Sequence, residues 1–299
     1  MLNNGTPSQP PAHAGQAAAA PSNAVPQHFT SLRIRLSLVI VGVIIVLLGL
    51  LYVPLRLTVR DAFVKLEQQN MEANLKRSRL ALELRLDEMG TKVKDYAQWD
   101  GSYDLMADPS PDAVNVYLTS NLDDEILKNL AANVVVIVDP QGTVVLSKSL
   151  EVDWTTPAAM PAELATILST DFFKFTDPAT QSDARPGVIR TADTALLISV
   201  SAVLPTGSNG TPRGAMAFGR ILTQDELDKL ALYSDLKLTV YSLDPANPLR
   251  TVTAPAPIPD EMISDLQAGQ QDSVKPVSDN EILGATLIKD IQGQPAFAF

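Results

Sequence analysis

Trp99, Asp100 and Tyr103 fall within five residues of one another, in the stretch DYAQWDGSYDLM, with Gly101 among them. Two aromatic faces and a carboxylate at that density can hold a cationic or hydroxylated ligand, by stacking and through one charged acceptor. The same trio can equally fasten structure. Trp99 and Tyr103 stand four apart, so a helix puts them on one face, and each ring can bury about 150–250 Å². Asp100 can cap the following turn, or accept from the Tyr103 hydroxyl or the Trp99 indole. A clasp between helix and sheet and a ligand patch both stay open on these residues alone.

Little else in the chain suggests chemistry. There is no cysteine, which excludes disulfides, thiol catalysis and Cys-ligated metal. Both histidines, His13 and His28, lie in the N-terminal tail, so the body has no imidazole for general-base or metal work. The sequence contains no GxxxxGK(S/T), no GxGxxG after a strand, no GxSxG and no HExxH. The pairs Asp123–Asp124 and Asp225–Glu226 fall at predicted helix starts, where acids complement the helix dipole. The residues therefore predict no catalytic group, no metal site and no cofactor.

The elements that must carry the aromatic stretch begin at a membrane. Residues 1–32, rich in Pro, Ala, Asn and Gln without apolar periodicity, are expected to form a disordered tail on the cytoplasmic side. Leu36 to Leu55 is a run of 20 uncharged residues between Arg35 and Arg56. At about 1.5 Å per residue it spans about 30 Å, the hydrocarbon thickness of a bilayer, and it predicts an uncleaved transmembrane helix over 33–59. Flanking charge does not orient it, since Arg33 and Arg35 face Arg56, Arg60 and Lys65 across the span. Beyond residue 60 stand 19 basic and 34 acidic residues, a net charge of −15 that repels nucleic acid and anionic lipid.

Residues 60–98 predict one long helix with an apolar seam at Met71, Leu75, Leu82, Leu86, Met89, Val93 and Tyr96. That seam suits either a coiled coil between two copies or packing on the chain's own domain. Further on, the pattern predicts a short helix after Pro109 and Pro111, and a hairpin of Val134–Asp139 with Thr143–Ser149. It then predicts a helix near Pro161–Ser169, a loop region holding Pro178 and Pro186, and a second hairpin of Leu196–Leu204 with Gly214–Leu222. A helix follows Thr223 with Glu226 at capping-box spacing. A strand over Leu236–Asp244, a helix ending at Gly269, and strands at Ile282–Lys289 and Pro295–Phe299 complete an α+β body on a mainly antiparallel sheet. The apolar run at the end, ILGATLIKDIQGQPAFAF, is expected to mark a chain cut short of its natural terminus.

Together these residues resemble the fourth class of CHASE sensory domains. The resemblance rests on the anchor Leu36–Leu55, on DYAQWDGSYDLM, on NLAANVVVIVDPQGTVVLSKS and on GAMAFGRILTQDELDKLA, and it covers roughly Ala62 to Phe299. It implies a Cache/PAS-like sheet packed on the long N-terminal helix, with residues 60–299 as a periplasmic input region of an inner-membrane receptor. It also implies a second membrane helix and a cytoplasmic output module outside this chain, either GGDEF and EAL domains handling cyclic di-GMP or a histidine kinase. The family pattern reaches Trp99, Asp100 and Tyr103, and it adds Arg220 in FGR as a further ligand-binding or signal-coupling residue. A small molecule or protein is the implied signal, and a homodimer through the membrane and stalk helix the implied assembly, with Gly42 and Gly49 allowing close helix approach. The competing expectation is a membrane-anchored docking protein with an acidic domain and no output activity.

Overall fold

A computed structural model describes residues 32–170, 173–191, 194–233, 236–243, 249, 251–252, 258–278 and 281–299. The tail expected to be disordered lies outside these up to Ser31, as does Asp244 at the end of one expected strand. Two compact units partition the chain, Met1–Val59 and Arg60–Phe299.

Helix α1 runs Leu32–Ala97 and contains Pro54. Within the first unit its Leu32–Arg56 stretch, with a mean hydropathy of 3.0, has none of its residues buried. A helix apolar on every face and covered by no protein suits an apolar solvent, and its length suits a bilayer.

In the second unit the predicted seam of α1 turns inward. Leu75, Leu82, Leu86, Met89 and Val93 are all buried in the chain's own core, so of the two arrangements the sequence allowed, the structure takes packing on its own domain. Ser78 interrupts the seam without penalty because its hydroxyl donates to the Asn74 carbonyl (3.1 Å).

The main sheet has five antiparallel strands: β1 Val134–Val138, β2 Val144–Ser149, β3 Arg185–Arg190, β4 Ala195–Ala202 and β5 Ala215–Ile221. Their order is β2-β1-β5-β4-β3, the Cache/PAS-like arrangement that the resemblance implied. Both hairpins form where the β-branched runs placed them. Alternation along the strands sorts the two faces. Val135, Ile137, Met216 and Phe218 pack with Val93 and Ala97 of α1, whereas Val134, Val136, Ile198 and Ala217 pack with Leu164 and Leu168 of α5 (Ala162–Leu168). Helices α2 (Asp100–Leu105), α3 (Pro111–Asn121) and α4 (Asp124–Leu130) lie between α1 and β1 in the chain.

After α6 (Gln224–Ala231) and α7 (Asp260–Gln267) comes a three-stranded sheet, β6 Asp272–Ser278, β7 Glu281–Lys289 and β8 Pro295–Ala298. Its Ile288 and Phe297 join Leu82, Leu86 and Met89 of α1 in one cluster with Leu197, Leu222 and Leu227.

Two expectations change. The loop around Pro186 is strand β3, and β6 contains Pro276; both strands sit at sheet edges, where proline's missing N–H breaks no ladder. Leu236–Leu243 is no regular strand and contributes only a bridge from Tyr241 to Ala298. Within the terminal apolar run Phe297 and Ala298 are buried and Phe299 is 7% exposed.

Candidate functional site

The four sequence-predicted residues fall in two places. Trp99, Asp100 and Tyr103 gather at the α1–α2 junction. Arg220 lies near the far end of β5, on the order of 20 Å along the strand from Arg213, which touches Tyr103.

At the junction, α1 stops at Ala97 and Trp99 adopts an extended backbone (φ −135°, ψ 141°) before α2 begins. Trp99 and Tyr103 therefore do not share a helix face, which corrects the spacing argument. The indole instead folds back over Gly101, where a Cβ would come within 2.5 Å of its ring, and lies 6.3 Å from the Tyr117 ring. Trp99 stays 40% exposed, and its indole is held by packing on Gly101 and Tyr117.

Asp100 and Tyr103 form the actual fastening. Asp100 accepts from the Thr206 N–H (2.9 Å), and its own N–H donates to the Thr206 hydroxyl (3.2 Å). The Arg213 guanidinium stacks 3.7 Å from the Tyr103 ring centre and donates to the Tyr103 carbonyl (2.8 Å). The Leu204 N–H donates to the Ala97 carbonyl (3.1 Å), and the Gln98 amide donates to the Ser182 carbonyl and the Ser201 hydroxyl. The end of α1 is thus tied to the β4–β5 connection.

Beneath lies a buried polar pair. Ser102 donates to the Tyr96 carbonyl, which leaves the Tyr117 hydroxyl as donor to Ser102 Oγ (2.5 Å). Burial pushes the Tyr117 hydroxyl up to about 12. Asp100→Ala is expected to cost about 1–2 kcal/mol in urea unfolding, the value of one hydrogen bond to a charged acceptor reduced by the exposure of Asp100 to solvent. An unchanged midpoint would show that the Asp100–Thr206 bonds do not fasten the end of α1.

Arg220 stands in a different setting. The segment after β2 forms a compact turn. Leu150 N–H donates to the Asn133 carbonyl (2.7 Å), Glu151 N–H to Thr156 (2.8 Å) and Ala158 N–H to Ser149 (2.9 Å). Asp153 closes the tip by accepting from the Thr155 and Thr156 N–H groups, and these bonds with the Thr156 hydroxyl hold its carboxyl down at about 2. At that tip Trp154 has a φ of 66°, a conformation bulky residues adopt only when their surroundings impose it. Its ring stacks on the Arg220 guanidinium, 4.6 Å from the ring centre.

Arg220 is 8% exposed and gives one nitrogen, Nη2, to Glu226 Oε1 (2.8 Å). Its Nε and Nη1 are buried and have no hydrogen-bond partner among the described residues. Unmet donors of a buried charge cost about 1–3 kcal/mol or more, so such a group calls for an explanation. Arg220, Trp154, Asn133, Thr223 and Thr251 line a cavity of about 480 Å³. A neighbouring cavity of about 490 Å³ shares Val152 and Thr251 and contains the unpartnered Ser149 hydroxyl.

Glu226 is the functional residue that sequence reasoning missed. Thr223 does cap α6 through the Glu226 N–H (3.3 Å), but the Glu226 side chain turns into the protein. At 2% exposure its carboxylate meets Arg220, Lys229 (2.8 Å) and, from α1, Arg85 (3.2 Å). Burial pushes its carboxyl up, but Lys229, Arg220 and Arg85 outweigh that and hold it below the ordinary range. One signal was available: Glu226 precedes Leu230 by four, which puts it on the apolar face of α6.

Residues 81–241, more than half of the chain, match the CHASE4 domain, and the chain belongs to that family. Three solved structures resemble it. The extracellular domain of vpHK1S-Z8, assigned to a histidine kinase, superposes with a TM-score of 0.49 at 11% identity, over 79% of this chain and 94% of that one. A domain assigned to the sensory box/GGDEF family from Vibrio parahaemolyticus gives 0.47 at 12%, over 77% and 96%. The periplasmic domain of Vibrio cholerae LuxQ gives 0.44 at 11%, over 76% and 95%. No curated protein sequence matches the chain.

Proposed function

We propose that this chain is the input region of a bacterial membrane receptor, in which occupancy of the Arg220 cavity is relayed through α1 to a cytoplasmic output module. The observation that carries this reading is the ion cluster joining the cavity to that helix. Arg220 lines the cavity, Glu226 bridges it to Arg85, and Arg85 belongs to α1, whose sequence also includes the apolar Leu32–Arg56 stretch. A shift of the Arg220–Glu226 pair therefore acts on α1 directly. The clasp at Asp100 and Tyr103 supplies a second hold on the same helix.

In this reading Leu32–Arg56 crosses the inner membrane and residues 60–299 lie in the periplasm. The output is cyclic di-GMP turnover or histidine-kinase activity. Two copies associate along α1, where Phe63, Leu66, Leu80 and Leu84 are exposed at spacings of three, four and seven or their sums.

The test is an immunoblot of source-cell membranes with serum against residues 60–299. A band well above 32.1 kDa is expected, and after amine-reactive cross-linking a second band at twice its size. A band near 32.1 kDa would sink the receptor reading and favour a docking protein. Failure to cross-link would remove the dimer alone.

A further inference from the structure

We infer that the cavity under Trp154 takes a small organic monocarboxylate, read by the unused N–H groups of Arg220. The ligand class deepens the receptor reading above and rests on it for its role in signalling. Of the five N–H groups of Arg220, the three on Nε and Nη1 have no acceptor among the described residues, although the residue is more than nine-tenths buried. The indole of Trp154 covers one face of the guanidinium, and Glu226 takes Nη2. What remains are in-plane donors on two sides of the guanidinium, Nε on one and Nη1 on the other, and a carboxylate takes either of them, with the second N–H of Nη2 completing a fork.

The surroundings set the size and charge of the guest. A volume of about 480 Å³ is at the small-molecule end of binding cavities. Thr223 and Thr251 add hydroxyls to the lining, and Asn133 is committed to holding the Trp154 turn and β5 through Glu151 and Ile221. Asp225 is the one acid among the described residues of the lining and lies exposed. Among the described residues of the lining, one partly engaged guanidinium faces a rim carboxylate, which suits one negative charge, so a carboxylate fits better than the dianion of phosphate. Nε and Nη1 are covered in this conformation, so the ligand reaches them as the Trp154 turn gives way. The strained backbone at Trp154 marks where that movement begins.

The sequence provides the probe. It contains only two tryptophans, so in the full chain carrying Trp99→Phe, in detergent micelles, Trp154 is the sole indole. Acetate, butyrate, lactate and benzoate are titrated against its fluorescence, with butyramide as the neutral twin of butyrate and inorganic phosphate as the dianion. At least one monocarboxylate is expected to give a saturable change at millimolar concentration. Butyramide and phosphate are expected to give none. Arg220→Gln should raise the midpoint at least tenfold. Asp225→Asn, a surface change that leaves Arg220 and Glu226 in place, should lower it by about threefold, the scale of a screened charge interaction.

No saturable change with any of the four acids, equal response to butyramide, or preference for phosphate would overturn the inference. So would an Asp225→Asn chain that binds more weakly, should Arg220→Gln fail to fold. Because this titration reads binding and the immunoblot reads the size of the native protein, the ligand and the receptor reading fail separately.

Discussion

Gly214→Ala is expected to lower the melting temperature of the full chain in micelles by about 10 °C. Gly214 has a φ of +142°, and a Cβ there would lie 2.0 Å from the Val138 carbonyl oxygen and 3.1 Å from its carbon. The obstructing atoms are backbone, in a strand paired on both sides, with Val138 opposite Ala215 and Val144. They cannot swing aside as a side chain would. A disallowed conformation costs about 1–3 kcal/mol and overpacking about 1–3 kcal/mol more. Together these take a large share of a stability on the order of 5–15 kcal/mol, and for a body of this size each kcal/mol moves the midpoint by about 2–4 °C. Gly269→Ala is the control. It has a φ of +90° but no atom within 4 Å of an added Cβ, so only the conformational cost, about 1 kcal/mol, applies. Equal losses from the two substitutions would mean that the approach of β1 to Gly214 is not as close as described. Gly214 also follows Arg213, so its displacement should loosen the stack on Tyr103 and with it the clasp on α1.

The contrast between what the residues disclosed and what they hid follows the range of the forces involved. The hairpins were legible because β-branched runs and a Pro-Gln-Gly turn act within a dozen residues, and α6 because Thr223 caps it locally. Strands β3 and β6 were not, because Pro186 and Pro276 argue against a strand until the sheet order shows both at edges, where an N–H is dispensable. The seam of α1 was legible as a pattern, but its target was not. Periodicity says which face is apolar and is silent on whether it meets another copy or the same chain.

At the site, the density of Trp99, Asp100 and Tyr103 announced the clasp, yet the helix break between Ala97 and Asp100 changed which contacts they make. Arg220 was reached only through resemblance. Its partner was hidden by a sufficient local explanation, for Glu226 sits at capping-box spacing and needed no other role. Its real partners include Arg85, 141 residues away, a distance over which no pattern in the chain carries information.

Glu226→Gln tests that long-range pairing, and it is expected to cost about 3 kcal/mol at pH 7. The amide keeps the size but removes the charge, leaving Arg220 and Arg85 short of a counter-ion in the interior. Removing one partner of a buried pair costs about 3–5 kcal/mol. The lower end applies because Arg85 retains Glu88 at 2.5 Å. The pH dependence gives the sign. The folded carboxyl lies below its ordinary value of 4.5, so the wild-type chain gains stability from Glu226 that is fully present above that value. The gain disappears as pH falls through the depressed folded value, because protonation neutralises the charge that the amide lacks. In urea unfolding at a series of pH values, the gap between wild type and Glu226→Gln should hold constant from pH 7 to about 5 and narrow below about 4.5. A gap that stays constant or widens in acid would show that Glu226 does not act through its charge. Arg220→Gln completes a cycle with it. If the two residues form one unit joining the cavity to α1, the double variant should lose about 1–3 kcal/mol less than the sum of the singles. Additive losses would leave Arg220 and Glu226 as neighbours that share a distance but no function.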